Sequence, residues 1–432
     1  MRSVARKLQD DLTEISLRFA REGYFTESEV RVEQDGALLA ESATASSLQA
    51  YTPTHPHRQF DSASLTKLFT TTAILRLISE RKIELDTAIA RQTWAAPLME
   101  AAASVQDSAQ ILELFNHLTI ASLLTHTSSL PAWFPFYAGR EAQIRNGSKG
   151  RENHQLQELR VQSFNKPLNN DSIIPDIPDD FFSILGLALK TEARVPLGHM
   201  LYSDINFMLL GMIAGVVLQA HVEPRIQTHL FEEAMQSLVL TPLALGNTSF
   251  KPDMKRAVPT EFGNRIEMEM VRSRGLTFSG WRPIDVPLCG EANDGNSFYY
   301  FGGKAAHAGL FSTAKDLCSL CNLYLFEGRR PTPNALPGSS ADVLDPALTK
   351  LAATNAGQNR GLGFEFGPRY PDGFGHTGFT GTMVYINPER RLSAAILTNR
   401  LNVPEPRSVD PYRSAIVQAI LASQSPTFSL DS

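Results

Sequence analysis

Cysteine is scarce: three residues in 432, at Cys289, Cys318 and Cys321. An odd, sparse set builds no disulfide framework. Cys318 and Cys321 form a CxxC, but no second ligand pair accompanies it. Core thiols on one helix face are therefore preferred over zinc or redox chemistry. Long apolar runs are also missing. The longest, 207–218, falls well short of the ~20 residues that cross a bilayer. Positive charge is not in excess, with 40 Lys and Arg against 45 Asp and Glu and a net charge of −5. That leaves no basic field to draw nucleic acid or an anionic membrane. The ten histidines show no HExxH or comparable spacing, so neither a metal nor another cofactor is expected.

What is present is globular. Hydrophobic residues make up 43 % and charged residues 20 %, which excludes a disordered chain, a coiled coil and a collagen-like fibre. A chain of this length buries a large core without staples. At roughly 150 residues per domain it holds two or three folding units or one large enzyme domain.

Val4, Leu8, Leu12, Ile15 and Phe19 recur at helical spacing between charges. That pattern predicts an amphipathic helix and not an export signal, which needs an unbroken apolar run. With no export signal or membrane span visible, the protein is expected to be cytoplasmic. Glu29–Gln34 and Ala37–Glu41 flank Asp35-Gly36, a strong hairpin signal. A helix is expected over about 64–81. The stretch 86–290 lacks strand alternation and carries helical patches near 110–125, 181–190, 204–219 and 226–237. Within it, 139–180 is polar and rich in Gly and Pro, and reads as a long surface insertion. A helix over 313–326 has Thr313 as its N-cap. Gly361–Phe366, Thr382–Asn387 and Leu392–Thr398 read as strands, and a last helix begins at Asp410-Pro411. Sheet segments thus lie at both ends of the chain. The expected architecture is mixed α/β (α+β): residues 1–85 and 300–432 form one domain, and 86–299 a mainly helical inserted one.

Three short motifs carry chemistry. Ser64-Leu65-Thr66-Lys67 is an SxxK at a helix start. Positions i and i+3 share a face, so the amine reaches the hydroxyl, and the helix N-terminus favours oxyanion character. Crowding by other groups is expected to lower the lysine pKa, so that a neutral amine can act as base. Tyr202-Ser203-Asp204 precedes the apolar helix, where a tyrosine beside a serine–lysine pair can relay protons. His376-Thr377-Gly378 precedes two strands, and its glycine lets a substrate backbone approach closely. Each motif alone is weak.

Together and in this order they resemble the serine β-lactamase-related hydrolases: the class C β-lactamase branch, with its penicillin-binding proteins, esterases and D-aminopeptidases. Supporting stretches are DSASLTKLFTTT from Asp61, LLTHTSSL from Leu123, YSDINFMLLG from Tyr202, GGKAAHAGLFSTAKDL from Gly302 and GHTGFTG from Gly375. The resemblance runs from about Asp61 to Arg400. It implies a β-lactamase/transpeptidase-like fold, an antiparallel sheet flanked by helices with a helical insertion. It also implies Ser64 as nucleophile, Lys67 as its base and Tyr202 as general acid and base. The backbone N–H groups of Ser64 and Phe379 would form the oxyanion hole. Asp204, His376, Thr377 and Gly378 would face the substrate.

The sequence departs from the family pattern twice. Asp204 stands where relatives have Asn, and Ser129 where they commonly have Gly, which is expected to alter a turn. His376 stands where the true β-lactamases of this branch have Lys, as in the esterase and peptidase relatives. With Asp204 negative and His376 not permanently charged, neutral or cationic acyl donors are expected over anionic β-lactams. The leading expectation is a carboxylesterase acting on small esters. A D-amino-acid peptidase or amidase, a β-lactamase and an acyltransferase are the alternatives within the fold. The contrasting reading, a non-catalytic ligand-binding protein, expects loss of Ser64, Lys67 or Tyr202, and all three are present. His126 and His307 are read as structural first and site-lining second. The aromatics Trp133, Phe134, Phe136 and Tyr137 are read as core first and cleft wall second.

Overall fold

A computed structural model describes residues 2–45, 58–147, 178–219, 230–330 and 342–423. Seven strands are found in these residues: β1 Glu27–Gln34, β2 Ala37–Ala45, β3 Phe60–Asp61, β4 Phe311–Ser312, β5 Phe374–Thr377, β6 Met383–Asn387 and β7 Leu392–Thr398. Five of them form one sheet in the order β2-β1-β7-β6-β5. All its pairings are antiparallel, with Val30 opposite Ile396 and His376 opposite Val384. Strands β3 and β4 form a separate two-stranded sheet, with β3 leading into the Ser64 turn.

The predicted hairpin turns at Asp35-Gly36, both residues at positive φ. Asp-Gly supplies that conformation, and it matches the twist of the flanking strands. The N-terminal helix Arg2–Arg21 packs its Leu8, Leu12 and Phe19 stripe on one sheet face, together with Ile416 and Ile420 of the last helix, Asp410–Ser423. Val4, read as part of that stripe, is exposed. The other face carries Val384, Ile386, Ala395 and Leu397 into a core continuous with the helical middle of the chain. The helix Ala314–Leu325 lies against this face. Thr313 caps it by accepting the Asp316 N–H on its hydroxyl at 3.1 Å. Cys318 and Cys321 are buried on that helix. Among the described residues, no group of three or more His, Cys, Asp or Glu is placed to hold a metal. The apolar run becomes the buried helix Asp204–Gln219. No described helix is long and apolar enough to cross a membrane.

Two expectations change. Gly361–Phe366 is not a strand. Its glycines bend it into a turn in which Gly361 N–H donates to the Phe364 carbonyl, and only isolated bridges join Glu365 to Arg360 and Gly375. Residues 139–147, read as the start of a polar insertion, belong to the helix Phe136–Gly147. Buried Phe136, Tyr137 and Ala138 anchor its first turn, so packing overrides the local Gly and polar content. The rest of the expected insertion, from 148 to 177, lies outside the described residues, as does the first part of the patch near 226–237.

Candidate active site

Ser64 sits in a tight turn, Ala63–Leu65, that leads directly into the helix Thr66–Ser79. Ala63 holds φ +45°, a left-handed conformation that costs a non-glycine residue about 1 kcal/mol or more. The turn is held from below: Asp61 accepts the Ala63 N–H at 2.8 Å and the Asn293 N–H at 2.7 Å. It is held from the side by the β5–β6 loop. Thr380 donates its hydroxyl to the Asp61 carbonyl, and Thr382 to the Ser62 carbonyl. Gly378 completes this seam. A Cβ there would come within 2.7 Å of the Ser62 carbonyl, so the HTG glycine is fixed by contact with the SxxK turn.

Lys67 lies one helical turn after Ser64, with its side chain fully buried. Its Nζ reaches Ser64 Oγ at 2.9 Å, the His307 carbonyl at 2.9 Å and Asp204 Oδ1 at 2.7 Å. Burial pulls the amine down, but the Asp204 carboxylate outweighs it and the net shift is upward. This reverses the expected lowering: a carboxylate at contact distance holds Lys67 as an ammonium. The Tyr202 hydroxyl is within hydrogen-bond reach of both Ser64 and Lys67, and burial raises its pKa, so it stays a phenol.

Two histidines brace Tyr202. His126 accepts the Ser203 N–H on Nδ1 at 3.0 Å and stacks on the Tyr202 ring at 4.5 Å. His376, on β5, lies 5.9 Å from the same ring and donates Nδ1–H to the Thr377 carbonyl. Burial, then the charge of Arg360, drives both imidazoles well below their ordinary range. At neutral pH both are uncharged. His307 fills a different place: its ring pairs with Asp294 at 2.9 Å while its carbonyl receives Lys67.

These groups open into one cleft of about 610 Å³. Ser64, Tyr202, Asp204, His376, Thr377, Gly378 and Phe379 all line it. Of the aromatic group after the HTSSL segment only Trp133 reaches the cleft, and Phe134, Phe136 and Tyr137 are core. No motif announced the charges facing Ser64. Glu267 and Asp294 line one side, and burial and the neighbouring Asp294 raise Glu267 to about 8. Four arginines line the cleft. Arg369 pairs with Glu365 and Asp410, and Arg413 with Asp410. The Arg400 side chain donates to the carbonyls of Phe379 and Arg407, and burial and Arg413 lower it to about 10. The Arg360 guanidinium lies 5.4 Å from the Tyr202 ring centre, the residue is 9 % exposed, and its buried Nη1 has no hydrogen-bond partner among the described residues.

Comparison with known proteins agrees with this architecture. The family model described as Beta-lactamase matches residues 28–419. N-acetylmuramyl-L-alanine amidase of Bacillus subtilis (strain 168) is 26 % identical, the match covering 80 % of this chain and 68 % of that protein. A putative D-alanyl-D-alanine carboxypeptidase of Escherichia coli (strain K12) is 24 % identical, covering 80 % and 70 %. Among solved structures, EstCE1, a hydrolase with promiscuous acyltransferase activity, superposes with a TM-score of 0.57 at 17 % identity, covering 95 % of this chain and 99 % of that one. The D-amino acid amidase from Ochrobactrum anthropi SV3 superposes with a TM-score of 0.56 at 15 % identity, covering 97 % and 100 %.

Proposed function

The chain belongs to the Beta-lactamase family, and from that premise we propose that it is a hydrolase working through an acyl-enzyme on Ser64, with small amides or esters as substrates. The observation that carries this is the contact of Ser64 Oγ with Lys67 Nζ at 2.9 Å, with Tyr202 in reach of both, at the floor of an open cleft. Ser64 Oγ attacks the substrate carbonyl carbon. The electron pair of the C=O bond moves to its oxygen, which is held by the N–H groups of Ser64 and Phe379. Such donors each contribute about 2.7–4 kcal/mol. As the bond to the departing group breaks, Tyr202 protonates that group. Water then attacks the acyl-enzyme, releases the acid and restores Ser64. An alcohol or amine in place of water makes the same step an acyl transfer.

The charges in the cleft refine the substrate class. Asp204 was expected to repel anions, but its carboxylate is occupied by Lys67. Among the described residues Arg360 and Arg400 make no ion pair with a carboxylate, and both line the cleft. A guanidinium buried without a counter-ion is costly unless an anion meets it. Arg360 lies over Tyr202, the group that protonates the leaving half. The reading is therefore an acyl donor whose departing half carries a carboxylate, as at the end of a peptide. This favours the peptidase or amidase alternative over a carboxylesterase for neutral esters.

The cleft draws on residues 63–64 and 360–413 from one side and 132–133, 202–204 and 267–294 from the other. That supports the division into 1–85 with 300–432 and 86–299, with the cleft between the parts.

The test is intact-mass analysis with a fluorophosphonate probe, then turnover of p-nitrophenyl esters by wild type and Ser64→Ala. One adduct on Ser64, and a loss of at least about a thousandfold in the variant, is the expected result. Labelling of another serine, or near-normal turnover by Ser64→Ala, overturns the assignment. No adduct and no turnover leaves the non-catalytic binding protein standing in its place.

A further inference from the structure

The environment of Lys67 raises a question of proton balance. An ammonium has no lone pair to receive the Ser64 proton, yet Lys67 is enclosed by groups that favour the ammonium. Its Nζ has three contacts among the described residues besides Tyr202: Ser64 Oγ, the His307 carbonyl and Asp204 Oδ1. An amide carbonyl is too weak a base to take a proton. Tyr202 is a phenol and its acidic hydrogen is needed for the leaving group. Asp204 is the one contact that is both a base and in direct ion-pair contact with the amine, at 2.7 Å.

We propose that Asp204, acting through Lys67, is the terminal proton acceptor of acylation. The inference rests on Ser64 being the nucleophile. As Ser64 Oγ bonds to the substrate carbonyl carbon, its proton passes to Lys67 Nζ while Lys67 hands one of its own to Asp204 Oδ1. The tetrahedral intermediate collapses, the bond to the departing group breaks, and that group takes the Tyr202 hydroxyl proton. Tyr202 regains a proton from Lys67, and Asp204 returns its proton to Lys67. The net transfer is one proton, from Ser64 to the departing group, and the pair ends as it began. In this role Asp204 sets the protonation state of the lysine and is not a substrate-binding group.

The groups facing the pair are Tyr202 on its own loop, His126 and His376 on two further elements, Asp294 beside His307, and Arg360 over Tyr202. Burial, then the charge of Arg360, holds both histidines neutral at pH 7. They are common to wild type and both Asp204 variants, so a limb that moves on substitution of Asp204 is not theirs.

The experiment is the pH dependence of kcat/KM for a neutral p-nitrophenyl ester in wild type, Asp204→Asn and Asp204→Glu. With Asp204 in place, the singly protonated pair is the active form, and wild type is active at pH 7. Asp204→Asn leaves Lys67 as sole base, so its acid limb moves to higher pH. Turnover at pH 7 falls by about a hundredfold or more, the scale of a lost general base, and recovers as pH rises. Asp204→Glu keeps the limb near its wild-type position with a lower kcat. If Asp204→Asn matches or exceeds wild type at pH 7, or its acid limb stays put or moves to lower pH, Asp204 merely holds the lysine and the proposal falls. Should Asp204→Asn fail to fold, an acid limb displaced upward in Asp204→Glu overturns the proposal, and one kept in place supports it. Turnover that survives Ser64→Ala instead removes the nucleophile assignment, an outcome read from a different variant.

Discussion

The His307 carbonyl accepts a hydrogen bond from Lys67 Nζ at 2.9 Å across 240 residues of sequence, while the ring of the same histidine is tied to Asp294 at 2.9 Å. The carboxylate thereby fixes a main-chain oxygen, and that oxygen fixes the amine. Asp294→Ala is expected to release the loop and lower kcat by up to about a hundredfold, the cost of a misplacement near 1 Å. Steady-state kinetics with a neutral ester checks this, since KM should change much less than kcat. Equal damage to both would mark Asp294 as a substrate contact.

Lys67 and Tyr202 share Ser64 as a neighbour. Groups acting as one relay give losses that do not add. The double variant Lys67→Ala with Tyr202→Phe should be hardly slower than the worse single variant. A loss equal to the product of the two single losses would show independent action.

A matched pair of thioesters tests the two unpaired arginines. Both share one acyl group; one departs as mercaptoacetate and the other as its methyl ester. Wild type should prefer the carboxylate form, and Arg360→Met should reduce that preference by about thirtyfold, as when one partner of a buried charge pair is removed. Arg360→Lys should keep part of it. A wild type indifferent to the carboxylate sinks this view of the cleft.

Stability should respond to pH through buried groups of opposite sign. His126 and His376 have folded pKa values far below the ordinary 6.5. The unfolded chain therefore binds their protons first, and their contribution is complete above about 6.5 and drains away as pH falls. Glu267 is raised from 4.5 to about 8, so its contribution is complete below 4.5 and is lost as pH rises towards 8. Melting curves across pH should show a shallower acid-side decline for His126→Gln, and for Glu267→Gln a shallower decline between 4.5 and 8. Slopes identical to wild type would refute both assignments.

Ser129 occupies φ +63°, the left-handed region. Glycine adopts this conformation without the steric cost that a Cβ brings. Ser129→Gly should therefore stabilise the protein by about 1 kcal/mol, read from urea unfolding. A destabilisation would mean the serine side chain makes a compensating contact.

The parts of the fold legible in the sequence were those governed by local chemistry. The Asp35-Gly36 hairpin, the Thr313 cap and the β6–β7 pair follow from turn and cap rules acting within a few residues. The grouping of Ser64, Lys67 and Tyr202 was legible because their spacing and order form a pattern. The charge state of Lys67 was not legible, since it depends on a carboxylate 137 positions away arriving at 2.7 Å. Arg360 gave no signal at all. Nothing in a Gln-Asn-Arg-Gly stretch says that its guanidinium will be buried without a partner. Gly361–Phe366 misled because its alternating apolar residues satisfy a strand pattern, while its glycines serve a bend.

Strand β1 is bonded on one side to its hairpin partner and on the other to β7, which begins at Leu392. On a ribosome, the first hairpin emerges long before its second neighbour exists. One edge of β1 and the apolar face beneath it must wait, unpaired, until β7 has been made. Pairing over such sequence separation is slow and exposes sticky strand edges. The synthesis of β7, and not the earlier synthesis of the SxxK helix, thus sets the moment at which this edge becomes safe from aggregation.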